Sequence, residues 1–233
     1  MKKVYLLSLP LAAALLLLGV GTAQSAAFTA VANYKMNEAS GAKVLVDSGP
    51  NKLNGTIGTS IRLNGDYFSF PKVTRGDGGT VDPQHLATVY SNKLNPDTSS
   101  FTVTTRIRLT GAAYGNVMQK GQSGTQSFWK MQLDGSRRGS VTCSFDDTAG
   151  NKGAIRSIKL INDGRWHVVS CSRTANKVTV TIDGVSRSIN RTLKTITNTN
   201  PLTIGGKLNC RQVRRHDCDY FVGDMSYLTI QKG

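Results

Sequence analysis

Residues 100–109 read S-F-T-V-T-T-R-I-R-L. Phe101, Val103, Ile107 and Leu109 fall on one side, and Thr102, Thr104, Arg106 and Arg108 on the other. A period of two predicts a strand with one buried face. Residues 127–133 alternate in the same way, with Trp129, Met131 and Leu133 inward and Phe128, Lys130 and Gln132 outward. Val141, Cys143 and Phe145 share a face, as do Val178, Val180 and Ile182. Residues 166–171, W-H-V-V-S-C, are apolar on both faces, which predicts a central strand covered on both sides. Shorter strands are expected at 28–34, 61–63, 66–71 and 85–90, with two more in L-T-I-G-G and D-Y-F-V-G-D-M-S-Y-L-T-I near the end. Asp134-Gly135 and Asp183-Gly184 are hairpin signals, and Asp47-Ser48-Gly49-Pro50-Asn51 and Asn54-Gly55 are turn chemistry. No segment keeps a helical period. Many short strands separated by turns predict an all-β, antiparallel two-sheet sandwich or jelly roll.

The N-terminus changes the picture of the mature chain. Lys2 and Lys3 precede an apolar run over 6–20 and small residues over 21–27. This is the layout of a secretory signal peptide. The run is shorter than the ~20 residues a bilayer-spanning helix needs. We therefore expect a signal peptide at 1–25, one domain at 26–233, a secreted product and no transmembrane segment after cleavage. Four cysteines remain, Cys143, Cys171, Cys210 and Cys218. An even count in an exported chain predicts two disulfides. The expected pairs are Cys143–Cys171, on successive strands that could be antiparallel neighbours, and Cys210–Cys218, closing a short loop. No C-x-x-C knuckle points to zinc.

Charge narrows the partner. The chain carries 29 Lys and Arg against 14 Asp and Glu, a net charge of +15, of which Lys2 and Lys3 supply two. An exported protein this basic attracts polyanions such as acidic polysaccharide. The basic residues are scattered rather than gathered in one arm, and no dedicated nucleic-acid motif is present.

Several segments, in order, have a familiar form: N-Y-K-M-N-E-A-S-G-A-K-V-L-V-D-S-G-P-N-K-L-N-G-T-I, F-T-V-T-T-R-I-R, D-G-R-W-H-V-V-S-C-S-R, V-T-V-T-I-D-G-V, L-T-I-G-G-K and F-V-G-D-M-S-Y-L-T-I. Together they resemble the laminin-G-like, concanavalin A-like jelly-roll domains of bacterial secreted proteins. The resemblance implies two curved antiparallel sheets packed face to face. It also implies a range of functions, from sugar binding and adhesion to glycoside hydrolysis. Related jelly rolls can hold a structural Ca²⁺ with acidic residues near the chain ends. Here Ser226 stands where the family often has Asp, leaving Glu38 and Asp224 as candidate ligands.

The residues argue against catalysis. Glu38 is the only glutamate, and the E-x-D-x-x-E strand motif of jelly-roll glucanases is absent. Retaining glycoside hydrolysis needs two carboxyls ~5 Å apart. The adjacent pair Asp146/Asp147 and the loop pair Asp217/Asp219 read as turn and loop residues. No catalytic cofactor is implied. His167, beside Trp166, is expected to be a buried structural residue, and Trp166 a core residue. Two groups remain as binding candidates. One is the outward face of Arg106 and Arg108, joined by Phe128 and Lys130 from another strand. The other is the Cys210–Cys218 loop with Arg211, Arg214 and Arg215. The expected function is non-catalytic binding of carbohydrate or another extracellular polyanion, or surface adhesion. A glycan-active hydrolase or lyase and a structural module without a small ligand are the alternatives. Arg187, Arg191 and Lys194 form a further basic cluster, and Arg75-Gly76-Asp77 lies in a glycine-rich loop.

Overall fold

Sixteen strands are found among the described residues: β1 (Thr29–Tyr34), β2 (Val44–Leu45), β3 (Gly55–Ile57), β4 (Arg62–Leu63), β5 (Phe68–Phe70), β6 (Ala87–Val89), β7 (Phe101–Leu109), β8 (Gly115–Lys120), β9 (Phe128–Leu133), β10 (Val141–Asp146), β11 (Lys152–Arg156), β12 (His167–Arg173), β13 (Lys177–Ile182), β14 (Val185–Asn190), β15 (Leu202–Ile204) and β16 (Gly223–Lys232). The structure, a computed structural model, describes Met1 and residues 27–72, 84–110, 114–122, 127–135, 137–208 and 219–233. The expected signal peptide apart from Met1, the Arg75-Gly76-Asp77 loop and the Cys210–Cys218 loop with Arg211, Arg214 and Arg215 lie outside the described residues. Among the described residues no helix is long and apolar enough to cross a membrane.

The strands form two eight-stranded sheets. The first runs β14-β13-β12-β7-β16-β5-β4, with β1 also paired to β16. The second runs β11-β10-β9-β8-β15-β6-β3-β2. Every ladder between these strands is antiparallel. This is the two-sheet jelly-roll sandwich that the alternating pattern predicts. Alternation places Phe101, Val103 and Ile107 of β7 and Trp129 and Met131 of β9 in one shared core. Phe101 and Trp129 meet across it with ring centroids 5.2 Å apart. The Trp129 indole N–H donates to the Leu94 carbonyl at 3.1 Å, so the buried ring keeps a polar partner.

Cys143 and Cys171 are disulfide-bonded with Cα atoms 5.4 Å apart. The pairing is the expected one, but its geometry is different. β10 and β12 are not neighbours in a sheet: Cys143 belongs to the second sheet and Cys171 to the first. The chain leaves β10 for the edge strand β11 and then crosses the sandwich to β12. The bond therefore staples sheet to sheet.

β12 also departs from expectation. Its burial alternates: His167, Val169, Cys171 and Arg173 are buried, Val168 is exposed, and Ser170 and Ser172 are half-buried. The outer face of this sheet is open, so one flank of the apolar run meets solvent. Asp183 and Gly184, at φ 47° and 82°, form the two-residue turn between β13 and β14, the left-handed pair that a tight hairpin requires. Asp134-Gly135 instead begins a longer connection over 134–140, closed by the Asp134 N–H donating to the Ser140 carbonyl at 3.0 Å.

Candidate functional site

The outer face of the first sheet holds a ladder of rings and guanidinium groups. β7 presents Arg106 and Arg108 on its outward side because their parity opposes that of the buried Ile107 and Leu109. β12 pairs with β7 so that Val168 faces Arg106 and His167 faces Ile107. Trp166, immediately before β12, consequently lies beside Arg108 on the outside. The Arg106 guanidinium carbon is 4.6 Å and that of Arg108 4.8 Å from the Trp166 ring centroid. Arg108 also lies 5.6 Å from the Tyr67 ring. Tyr67 meets Trp166 edge-on at 5.6 Å. Stacking of this kind contributes about 0.5–1 kcal/mol per contact at an exposed site.

The two arginines differ in their charge environment. Arg108 Nε and Nη2 both donate to Asp224 Oδ2, at 2.9 and 2.6 Å. Asp224 sits opposite Arg108 on β16 and opposite Ser69 on β5, and Ser69 Oγ donates to its Oδ1 at 2.7 Å. Asn64 Nδ2 in turn donates to Ser69 Oγ. The hydrogen bond to Asp224 raises the Arg108 pKa above its ordinary value, more than its slight burial lowers it. Arg106 has no ion pair among the described residues. Its cross-strand neighbour on β16 is Tyr227, whose hydroxyl pKa is raised by burial against an opposing pull from Arg106.

Trp166 is thus an external residue, a correction to its expected place in the core. The parity of β12 carries the reason: Trp166 shares a side with Ser170 and Ser172, opposite Val169 and Cys171. The same test applied to Tyr67, which shares a side with Ser69 and opposes Phe68 and Phe70, puts its ring outside. Sequence reading singled out the arginines but neither ring.

Phe128 and Lys130 do not join this face. They lie on β9, in the second sheet, on its side away from the core. Lys130 Nζ lies 5.7 Å from the Phe128 ring. Burial lowers its pKa, with Asp219 opposing and Lys207 adding to the shift. Phe128, expected to be outward, is buried on that outer side.

The two calcium candidates differ: both Asp224 oxygens are engaged, whereas Glu38 Oε2 is buried without a hydrogen-bond partner among the described residues. Asp224 has both oxygens engaged, one of them by a guanidinium, so a cation there would meet a fixed positive charge. Glu38 Oε1 accepts the Val46 N–H at 2.8 Å. Among the described residues no group of three or more His, Cys, Asp or Glu side chains could hold a metal ion.

His167 is buried, as expected. Its Nδ1 lies 2.7 Å from Asp183 Oδ2 and its Nε2 2.8 Å from Asp163 Oδ1. The Asp146/Asp147 pair points apart. Asp146 faces Lys152 at 3.9 Å. Asp147 is buried and accepts N–H groups of Ala149, Asn151 and Lys194. Burial would raise its pKa, yet these bonds hold it below the ordinary carboxylate value.

These features define a β-sandwich domain with a surface ladder of arginine and aromatic side chains. The chain belongs to the laminin G domain family, whose profile matches residues 108–233. No curated protein matches the sequence. Among solved structures, the botulinum neurotoxin serotype G binding domain aligns with a TM-score of 0.60 at 13% identity, covering 88% of this chain and 47% of the other. Domain 4 of AbnA, a GH43 extracellular arabinanase from Geobacillus stearothermophilus, solved in complex with arabinotriose, aligns with a TM-score of 0.60 at 16% identity, covering 88% of this chain and 93% of the other. The chain thus spans less than half of the neurotoxin structure. At these identities the likeness is one of fold.

Proposed function

We propose that the protein is a non-catalytic extracellular domain that binds an acidic polysaccharide through the Arg106–Trp166–Arg108 ladder. The observation that carries this reading is Arg106. It is stacked on Trp166 and lacks a carboxylate partner among the described residues, whereas Arg108 is paired with Asp224. A guanidinium without a carboxylate partner keeps N–H donors that suit a carboxylate or sulfate. The neighbouring indole and phenol rings offer apolar surface to a sugar ring. The net charge of +15 favours encounter with a polyanion. Domain 4 of AbnA, of the same fold, was solved with a bound saccharide, which supports sugar as the ligand class. A single glutamate and an Asp147 committed to backbone N–H groups favour binding over hydrolysis. An inter-sheet disulfide favours an oxidising, extracellular location.

Affinity electrophoresis through gels containing polygalacturonate, dextran sulfate or neutral dextran tests the proposal. The expected result is retardation by the two charged polymers that weakens with salt and falls several-fold in Arg106→Ala and Trp166→Ala. Equal mobility in all three gels at low salt would overturn it, as would retention that Arg106→Ala leaves unchanged.

A further inference from the structure

We propose that Arg62 and Lys43 line a second anion subsite, beside the edge strand β4, that takes a further carboxylate or sulfate of the acidic polysaccharide held at the ladder. This rests on reading the ladder as the glycan site, and adds that the ligand is recognised as an extended chain. β4 is the edge of the first sheet. Arg62 pairs with Ser69 on β5, Ser69 with Asp224 on β16 and Asp224 with Arg108 on β7. One row of cross-strand neighbours therefore runs from the ladder to Arg62. Leu63 packs against the core, so the alternation of side chains puts Arg62 on the outer face with Ser69 and Arg108. Three strand spacings of about 4.8 Å separate β7 from β4, which sets the two strands roughly 14 Å apart.

Beside β4 the surface turns concave. Residues 40–43, which lead into β2 of the second sheet, and residues 58–63, which carry the chain from β3 to β4, border a cleft of about 280 Å³. Lys43 and Arg62 both line it, together with Ser40 and Thr59. Both cations are exposed, and among the described residues neither has an ion pair. Glu38, the one acid between β1 and β2 in sequence, accepts the Val46 N–H instead. Two uncompensated cations suit an anionic group, and the two hydroxyls can donate to or accept from sugar hydroxyls. No aromatic side chain lines the cleft, so it complements the ladder: the ladder supplies ring and charge, the cleft charge and hydroxyl groups. A polymer already held at the ladder reaches the cleft as an intramolecular partner, so weak contacts there add to its retention. A ligand too short to span the two sites gains nothing from the second.

The test uses the full chain and size-defined oligogalacturonates, a dimer and a hexamer, with titration calorimetry as the readout. The expected result is tighter binding of the hexamer than of the dimer. In Arg62→Ala/Lys43→Ala, hexamer affinity is expected to fall about fivefold, the worth of two exposed charge contacts, with dimer affinity unchanged. Arg106→Ala is expected to weaken both ligands. Lys177→Ala/Arg187→Ala, which removes the same charge from the β13–β14 edge of the first sheet, is expected to keep the preference for the hexamer. A cleft variant that binds the hexamer as the parent does overturns the proposal. So does an equal loss for dimer and hexamer, or an equal loss in the Lys177/Arg187 variant, either of which makes overall charge the cause. These outcomes leave the ladder reading standing. A parent that binds neither oligomer, or that binds both undiminished in Arg106→Ala, sinks the ladder reading and the cleft with it.

Discussion

Cys143 on β10 and Cys171 on β12 join the two sheets through the core, with Cα atoms 5.4 Å apart. The 28-residue separation spans the edge strand β11 and the crossing between sheets. Restricting that loop in the unfolded chain contributes roughly 3–4 kcal/mol on chain-entropy grounds. The Cys143→Ala/Cys171→Ala double variant is expected to lose about that much stability in urea titration. Reductant should then destabilise the parent by a comparable amount more than the double variant, in which only the expected Cys210–Cys218 pair remains to be reduced.

Arg173 is a buried arginine whose partners are backbone carbonyls. It is 1% exposed, and its guanidinium donates to the carbonyls of Thr174, Asp97, Ser99 and Leu193. Three chain segments distant in sequence thus meet on one side chain. Arg173→Met would leave these carbonyls without their donor. An expected loss of about 2–4 kcal/mol, read by chemical denaturation, checks this. A loss below about 1 kcal/mol would mean that water satisfies the carbonyls equally well.

Asp224 restrains the ladder's charge. Asp224→Asn removes the anion facing Arg108 while keeping an oxygen for Ser69. Stability is expected to fall by about 1–2 kcal/mol. Retention by dextran sulfate is expected to rise and to become more salt-sensitive, because a second guanidinium is released to the ligand. Gel mobility at two salt concentrations, beside a urea titration, separates the two effects.

Asp183 predicts an acid-sensitive step. Burial would raise its pKa, but bonds from Lys159, His167 and the Val168 N–H outweigh it and hold the value at about 2, against an ordinary 3.8. The folded state takes up this proton less readily than the unfolded state. Its stabilising contribution is therefore complete above about pH 4 and lost as pH falls toward 2. The melting temperature should drop across that window, and less steeply in Asp183→Asn than in the parent.

The sequence made the strands of the core legible wherever one face was apolar and the other polar. β7 and β13 follow their alternation residue by residue, and β9 does so except at Phe128, which is buried on the outer side. The disulfide partners were legible from count and context, but their placement on opposite sheets was not. Pairing order depends on crossings that no local pattern encodes. The candidate site shows the same limit. Arg106 and Arg108 stand out from β7 alone, yet their grouping with Lys130 fails because β9 belongs to the other sheet. Trp166 and Tyr67 were within reach of parity, but an apolar run outweighed it. Asp224 enters only through register: it lies 116 residues from Arg108 in sequence, and only the β7–β16 ladder brings the two together.

The place of β16 has a consequence for the timing of folding. This strand lies beside β7 along its length, pairs with β5 through residues 223–225 and with β1 through residues 228–232. Strands from the first half of the chain therefore share a late-synthesised neighbour. Until β16 has been made, β1 has no ladder to join, β5 has only β4 beside it and β7 lacks one flank. Closure of the first sheet must therefore await β16, and such non-local pairing is intrinsically slow.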